Sequence, residues 1–201
     1  MDFIYPPHGD DLSDYTHVIM YVHKTLDEKV EESLINYAVG GGRLIVLHHG
    51  IASAKMKNKK WLTFLGVKLY SRNHAEYPWG VLADTLHTMV NLYPGHYITT
   101  NSIDYQKTIK FETDYPILFS GEFQAFNLEN TEIFLNQRVD SNNKVILFGV
   151  CSEKGDIMQA SSGWVKNTGK GKVIYFQAGH SVSDFNNPNY LQVLRNAIEW
   201  N

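Results

Sequence analysis

The first quarter of the sequence reads as a strand, an amphipathic helix and a second strand, and this order constrains the fold more than any other feature. Segment 16–23 is short, β-branched and apolar, as in a strand. Thr25 and Glu28 have the spacing of a helix capping box. The apolar residues after them repeat at helical intervals: Val30, Leu34, Tyr37 and Ala38. Three glycines at 40–42 end this helix, and the apolar run 43–48 is typical of a strand covered on both faces. The pattern predicts a right-handed βαβ unit in an α/β fold.

The rest of the chain predicts a β-rich middle and a helical end. A second helix is predicted over 54–65, with Trp61, Leu62 and Leu65 on its inner side. Stretch 66–101 is rich in aromatic residues, histidines and prolines, which predicts long loops with short strands. Strands are predicted over four later segments: 107–111, 131–135, 144–150 and 171–177.

The last helix has a clear start signal. Asn187 is a good N-cap, and Pro188 occupies the first helical position, where proline is favoured. The predicted apolar stripe of this helix consists of Leu191, Leu194 and Ile198.

Composition excludes several classes of protein. The length of 201 residues and the hydrophobic share of 43% fit one domain with a single core. The net charge is −3 and the basic residues are scattered, which argues against a nucleic-acid partner. The exception is Lys55, Lys57, Lys59 and Lys60, predicted to form a solvated helix face. No run reaches the roughly 18 apolar residues of a membrane span. The N-terminus has no secretory signal pattern, so a cytoplasmic protein and a processed secreted fragment both fit.

Histidines follow two of the predicted buried strands. His48 and His49 come after the strand 43–48 with Gly50 as a turn, and His180 comes after the strand 171–177. Ligands in α/β sheets bind at the carboxyl ends of strands, so we expect these histidines at one edge. The pair His48-His49 has an ordinary alternative, in which one histidine is packed and the other solvated.

A carboxylate supplements these histidines. Glu132 lies among apolar neighbours on a predicted strand, either exposed on one face or acting as an acid or base. With His48 or His49, His74 and His180 it has the residue types of a His/carboxylate metal site, although no fixed-spacing metal motif is present.

Other nucleophile patterns are absent or weak. Cys151 is the single cysteine, which excludes an intrachain disulfide and a cysteine-based zinc site, and we interpret it as a buried structural thiol. Ser181 and Asp184 lie too close to His180 in sequence to form a Ser-His-Asp triad. The glycines at 40–42 and 169–171 lack the spacing of phosphate-binding loops, and we interpret them as a helix stop and a turn.

Several segments resemble the ThuA-like (trehalose utilisation) family. They are 40–48, 131–134, 169–180 and 196–200, with Phe185, Pro188 and Tyr190. The resemblance runs from about residue 17 to residue 200 and implies one ThuA-like domain over 1–201. It implies the class I glutamine amidotransferase-like fold, a flavodoxin-like, mostly parallel sheet sandwiched by helices, here with a β-rich loop insertion in the middle.

The sequence departs from the family pattern in two places. The family usually opens with a strand and a helix ahead of the segment that begins here near Asp11, so we expect the sheet to lack its first strand. Either the chain is a fragment or a short variant, or residues 3–5 are a remnant of that strand. The family's Asp-Glu pair is Thr131-Glu132 here, which removes one carboxylate.

The resemblance implies a role in carbohydrate metabolism, with a sugar or glycoside as the small-molecule partner. The expected catalytic residues, also candidate ligands of a divalent metal, are His48, His180 and Glu132. The expected substrate-binding residues are His49, His74, Tyr77 and Trp79.

Three functional hypotheses remain from the sequence. Related folds carry a nucleophilic cysteine where this chain has His48, so a glutaminase is not expected. The first hypothesis is a carbohydrate-active enzyme whose reaction class, hydrolase, lyase or isomerase, stays open. The second is a non-catalytic sugar-binding or interaction module on the same fold. The third is a thiol-dependent amidotransferase or protease, which requires Cys151. The sequence leaves a homo-oligomer open and predicts no membrane partner.

Overall fold

A mixed eight-stranded sheet forms the centre of the computed structural model, which describes residues 11–200. The strands are β1 (His17–Met20), β2 (Arg43–Leu47), β3 (Val67–Lys68), β4 (Gly80–Asn91), β5 (Lys107–Thr113), β6 (Phe119–Leu135), β7 (Arg138–Val139), β8 (Lys144–Ser152), β9 (Met158–Thr168) and β10 (Gly171–Phe176). The main sheet has the order β1-β2-β10-β9-β8-β4-β6-β5, and β3 pairs with β7 in a second, two-stranded sheet. The predicted remnant strand at residues 3–5 lies outside the described residues.

Between residues 11 and 200, five α-helices and two 3₁₀ helices accompany these strands. The α-helices are α1 (Glu28–Gly40), α2 (Trp61–Leu65), α3 (Tyr97–Thr100), α4 (Val182–Asn186) and α5 (Pro188–Glu199). The 3₁₀ helices are His48–Ile51 and Ser53–Lys57. None of the helices between residues 11 and 200 is long and apolar enough to cross a membrane.

The sheet is parallel at one end only. Strands β1, β2 and β10 are parallel, whereas the other pairings of the main sheet are antiparallel. The prediction of a mostly parallel sheet is therefore wrong for the described part of the chain, and the flavodoxin-like detail is not confirmed. The physical reason is the length of the connections, because the two-residue turn at 169–170 between β9 and β10 is too short for a parallel crossover.

Helices cover both faces of the parallel strands. On β2, Leu44 and Val46 belong to the core cluster that contains Leu34 of α1. The alternate residues Ile45 and Leu47 belong to a second cluster that contains residues of α5. This alternation of buried side chains explains why the run 43–48 shows no polar face, and it confirms an α/β fold.

The first helix confirms part of its prediction. Its buried residues include Val30, Leu34, Tyr37 and Ala38, as the spacing predicted. The capping box is wrong, because α1 begins after Asp27 and the Thr25 hydroxyl donates to the Ala54 carbonyl at 3.1 Å instead. Gly41 ends the helix with φ of 130°, a conformation that favours glycine.

The predicted helix over 54–65 is broken into two short pieces. Asn58 is extended between them. Its side-chain oxygen accepts from the backbone N–H of Leu26, and its side-chain amide donates to the Leu26 carbonyl, which fixes the break. The lysine cluster is accordingly not one solvated face. Lys55 is buried and its ammonium donates to the carbonyls of Val22 and Lys24 at 2.7 Å and 2.5 Å.

Two further predictions are corrected by packing. Stretch 66–101 contains the twelve-residue strand β4 rather than only loops with short strands. In α5 the Asn187 cap and Pro188 are confirmed, since the Asn187 side chain accepts from the backbone N–H groups of residues 189 and 190. The predicted stripe is confirmed only at Leu194, which packs against the core, because Leu191 and Ile198 are exposed. The buried face of α5 consists of Asn189, Tyr190, Val193, Asn196 and Ala197.

Candidate functional site

Two histidine loops leave the sheet from adjacent parallel strands. Strand β2 ends at Leu47, and His48 begins a 3₁₀ helix directly after it. Strand β10, the neighbour of β2, ends at Phe176 and leads to His180 four residues later. Because parallel strands end at the same edge, both loops lie together, as the sequence predicted.

Glu132 reaches this edge through a bend in β6. The register of β6 with β4 slips on both sides of Thr85, and Asn130 has a left-handed φ of 52°. Such irregularities bend a strand and redirect its side chains. The end of β6 is then tied to the end of β10, since the backbone N–H of Phe134 donates to the Gln177 side-chain oxygen at 3.1 Å.

Three side chains meet at one point. The Nε2 atom of His48 lies 3.2 Å from Oε2 of Glu132, and Nδ1 of His180 lies 3.2 Å from the same oxygen. The two imidazole nitrogens are 3.3 Å apart. We call these three side chains the donor triangle. The side chain of His48 is fully buried, while those of Glu132 and His180 are 16% and 31% exposed, so the triangle opens to solvent on one side.

His48 is held rigidly. Its backbone has φ of 42°, which is uncommon for a residue other than glycine and is typical of constrained sites. Its Nδ1–H donates to the Gln177 carbonyl at 2.7 Å, and its ring stacks on Phe134 with centroids 4.5 Å apart. Burial lowers the pKa of His48 to about 3, so the imidazole is neutral at pH 7. The carbonyl bond fixes the tautomer, which leaves the Nε2 lone pair facing the other two groups.

His180 is positioned through its backbone. Asp184 is fully buried, and its Oδ2 accepts from the N–H groups of Gly179 and His180 at 2.9 Å and 2.8 Å. The same oxygen accepts from the hydroxyl of Thr131 at 2.7 Å. Gly179 has φ of 116°, a conformation that requires glycine at this turn. Asp184 thus holds the loop, and no Ser-His-Asp triad forms, since the Ser181 hydroxyl pairs with Ser183.

A further group of rings borders the triangle. The His49 ring lies 4.1 Å from that of His48 and 4.2 Å from that of His23, between centroids. Tyr21 is half-exposed, 6.3 Å from His49 between ring centroids. Burial lowers the pKa of His49 to about 4, with His23 adding to the effect. Burial also raises the pKa of the Tyr21 phenol, and the charges of Asp184 and Glu132 add to it.

Sequence reasoning missed several of these neighbours. Residues 21–23 directly follow β1, the third parallel strand. The rule that places His48 and His180 at one edge therefore also predicts residues 21–23 at that edge. Gln177 bonds His48 and Thr131 bonds Asp184 across the fold, and no sequence spacing reveals these contacts.

The remaining predicted binding residues lie around other partners. His74 packs on Tyr70, with ring centroids 4.0 Å apart, and its Nδ1 accepts from the backbone N–H of Tyr77. The Tyr77 ring lies under the guanidinium of Arg138, at 4.0 Å. Trp79 is buried and its ring is 6.0 Å from that of Phe134, between centroids. Their role in substrate binding stays a prediction, as does that of His49.

The thiol predicted to be structural is buried. Cys151 lies in β8, as predicted, and burial raises the pKa of its thiol.

The histidine and carboxylate side chains at this edge are close enough to hold a metal ion together. Among residues 11–200, one group has ligand atoms that all lie within 4.8 Å of one another: His48, His49, Glu132 and His180. A neutral imidazole, a second imidazole and a carboxylate can share protons or hold a cation.

The chain is an α/β protein with a mixed sheet, and a cluster of histidines and a carboxylate lies at the end of its parallel strands. The family model described as ThuA, trehalose utilisation, matches residues 7–201. The chain therefore belongs to the ThuA family, whose description indicates a carbohydrate-related role. None of the curated proteins compared with the chain matches it.

Solved structures share this fold at low sequence identity. A ThuA-like protein from Bacteroides uniformis is 14% identical with a TM-score of 0.65, over 94% of this chain and 70% of that one. A ThuA-like protein from Parabacteroides merdae is 15% identical with a TM-score of 0.61, over 98% and 76%. A β-galactosidase from Bacillus circulans is 10% identical with a TM-score of 0.53, over 94% of this chain and 23% of that one. At these identities the likeness shows the fold alone.

Proposed function

We propose that this protein acts on a sugar or glycoside at the donor triangle of His48, Glu132 and His180. The observation that supports this proposal is the meeting of all three side chains within 3.3 Å at the carboxyl end of the parallel strands. The family description as trehalose utilisation supports the substrate class. The partial exposure of Glu132 and His180 leaves room for a sugar oxygen to reach them.

The triangle suits chemistry at a sugar oxygen. His48 is fixed as a neutral acceptor, and Glu132 faces it within hydrogen-bond reach, so a proton can move between a bound hydroxyl and this pair. Tyr21 and His23 border the opening with exposed rings against which a sugar face can pack. The chemistry proposed does not use the thiol, because Cys151 is buried in β8 with a raised pKa.

A non-catalytic sugar-binding module is the second candidate. The observation that favours it is Thr131, which stands where the family pattern has an aspartate. Its hydroxyl is buried and donates to Asp184, so it offers neither a free carboxylate nor a free hydroxyl to a substrate. On this alternative the triangle recognises sugar hydroxyl groups without changing them.

The test is a screen of binding and turnover. Purified protein, supplied with divalent cations, is incubated with trehalose and a panel of α- and β-linked gluco- and galacto-disaccharides. Proton NMR follows turnover, and saturation-transfer difference spectra follow binding. We expect turnover of at least one panel member. Glu132→Gln should lower its rate by about 10²- to 10⁴-fold, the range of one general acid or base.

His17→Ala is the matched control. His17 opens β1 at the opposite end of the parallel strands from the triangle, so its loss should leave turnover unchanged. Binding that is lost in His180→Ala, without turnover in the wild type, would favour the binding module. A wild-type protein that neither binds nor converts any sugar of the panel would overturn the proposal.

A further inference from the structure

We propose that the donor triangle is a binding site for one divalent transition-metal ion, held by Nε2 of His48, Nδ1 of His180 and the carboxylate of Glu132. This inference deepens the proposed function, because the ion would be the group that meets the sugar. Ligand atoms bound to such an ion at about 2.0 to 2.2 Å lie about 2.8 to 3.6 Å from one another, by tetrahedral or octahedral geometry. The three donor atoms are 3.2, 3.2 and 3.3 Å apart, so they stand at coordination spacing.

The hydrogen count of the triangle supports a cation. In a neutral His48, the Nδ1–H is committed to the Gln177 carbonyl at 2.7 Å, which leaves a lone pair on Nε2. The Glu132 carboxylate brings acceptors only. A neutral His180 brings at most one proton on Nδ1, and that proton serves one edge of the triangle. With that proton on Nδ1, the edge between His48 and Glu132 still joins two facing acceptors. With the proton on Nε2 of His180 instead, all three edges do, and a cation at the centre satisfies all three atoms.

The surroundings hold the donors in place before any ion arrives. A metal-binding histidine ordinarily donates its other N–H to a carbonyl or carboxylate, and His48 does this with Gln177. The loop that carries His180 is fixed by the Asp184 carboxylate through two backbone N–H groups. The strained backbone of His48, with φ of 42°, is the kind of outlier that binding sites retain.

The donor set indicates which ions fit. Two imidazoles and one carboxylate suit zinc, manganese, iron or cobalt, whereas calcium and magnesium prefer oxygen ligands alone. Three protein ligands leave coordination positions open, and the exposed sides of Glu132 and His180 place these positions toward solvent. His49, whose ligand atom also lies within 4.8 Å of the others, can serve as a fourth ligand. When bound, the ion would supply polarisation of a coordinated sugar oxygen.

The test measures metal directly. Chelator-treated protein is loaded separately with Zn²⁺, Mn²⁺ and Co²⁺, desalted and analysed by elemental mass spectrometry, with protein concentration measured in parallel. We expect about one equivalent of at least one ion per wild-type chain, as for a three-ligand site. With Co²⁺, visible d–d bands should report nitrogen and oxygen ligands.

The variants separate the site from adventitious binding. Glu132→Ala and His180→Ala remove partly exposed side chains and should lower occupancy by about tenfold or more, with far-UV circular dichroism as the check on folding. His17→Ala, which removes a histidine at the opposite end of β1, should retain full occupancy. Equal metal in wild type and in both triangle variants would overturn the proposal. If a variant fails to fold, the wild-type measurement still tests the proposal, because a wild type that takes up none of the three ions would overturn it.

The two proposals fail in distinguishable ways. Sugar binding or turnover by a protein that takes up none of the three ions would leave the proposed function standing and overturn the metal site. Stoichiometric metal in a protein that neither binds nor converts any sugar would leave the metal site standing and overturn the proposed function.

Discussion

Acidification below pH 6.5 should destabilise this protein through its buried histidines, and His87 on β4 is the cleanest case. Its side chain is fully buried, and its Nε2 lies 2.9 Å from the Ser162 hydroxyl. Burial lowers the pKa of His87 to about 4, although the nearby Asp184 charge acts in the opposite direction. His87 therefore stays neutral in the folded chain and takes up a proton only on unfolding.

The sign and size follow from this difference in pKa. Since the unfolded chain binds the extra proton, the free energy of unfolding falls as the pH drops from 6.5 toward 4. Between about pH 7.5 and about pH 5, a shift from 6.5 to 4 corresponds to a loss of about 2 kcal/mol. His48, with a pKa of about 3, adds a similar loss, and the partly exposed His49 adds less. The total of about 5 kcal/mol is a large share of the stability of an ordinary domain.

The assay is urea unfolding in the presence of a chelator, at about pH 7.5, 6 and 5. His87→Gln keeps a polar group near Ser162 but removes the titrating ring, so it should lose about 2 kcal/mol less than the wild type over this range. Ser162→Ala removes the same hydrogen bond and keeps the ring. Its free energy of unfolding should therefore be lower than that of the wild type at every pH, with an unchanged pH dependence. Identical pH dependence in His87→Gln and the wild type would refute the reasoning.

Three further predictions concern the loops and the thiol. Gly179→Ala should destabilise the fold by about 1 to 3 kcal/mol and lower metal uptake, because a Cβ at φ of 116° is strained and lies 3.2 Å from the ring of Phe185. An unchanged urea midpoint and an unchanged metal occupancy would contradict this prediction. Asn187→Ala should cost about 1 kcal/mol in urea unfolding by removing the cap of α5, with Asn187→Asp as the control that retains an acceptor. Cys151 should resist alkylation by iodoacetamide until urea unfolds the chain, and Cys151→Ser should leave sugar turnover unchanged; rapid alkylation of the folded protein would show an accessible thiol instead.

The part of the site that the sequence predicts is the part carried by local signals. His48 and His180 follow apolar runs that fold as β2 and β10, and the parallel pairing of these strands brings both histidines to one edge. The cap of α5 is equally local, since Asn187 bonds N–H groups two and three residues away. Such features can be predicted from sequence spacing, because the residues that form them are close together in the chain.

The parts that sequence missed depend on contacts across the fold. Strand β9 contains Ser161, Ser162 and Gly163, which hide its strand pattern although its central residues are buried between β8 and β10. Lys55 belongs to a charged cluster in sequence, yet three backbone carbonyls of the loop after β1 accept its ammonium group. Burial of a lysine becomes predictable only when its partners are known.

Thr131 illustrates how such contacts change the interpretation of a missing residue. By family resemblance an aspartate is expected there, and its absence alone suggests a site with one carboxylate fewer. In the fold the Thr131 hydroxyl donates to Asp184, whose carboxylate lies buried beside the triangle and holds the His180 loop. An aspartate at 131 would bring a second buried carboxylate against Asp184, and two such groups cannot both ionise without a large cost. Threonine therefore fits this arrangement, because its hydroxyl donates a hydrogen bond to the Asp184 carboxylate.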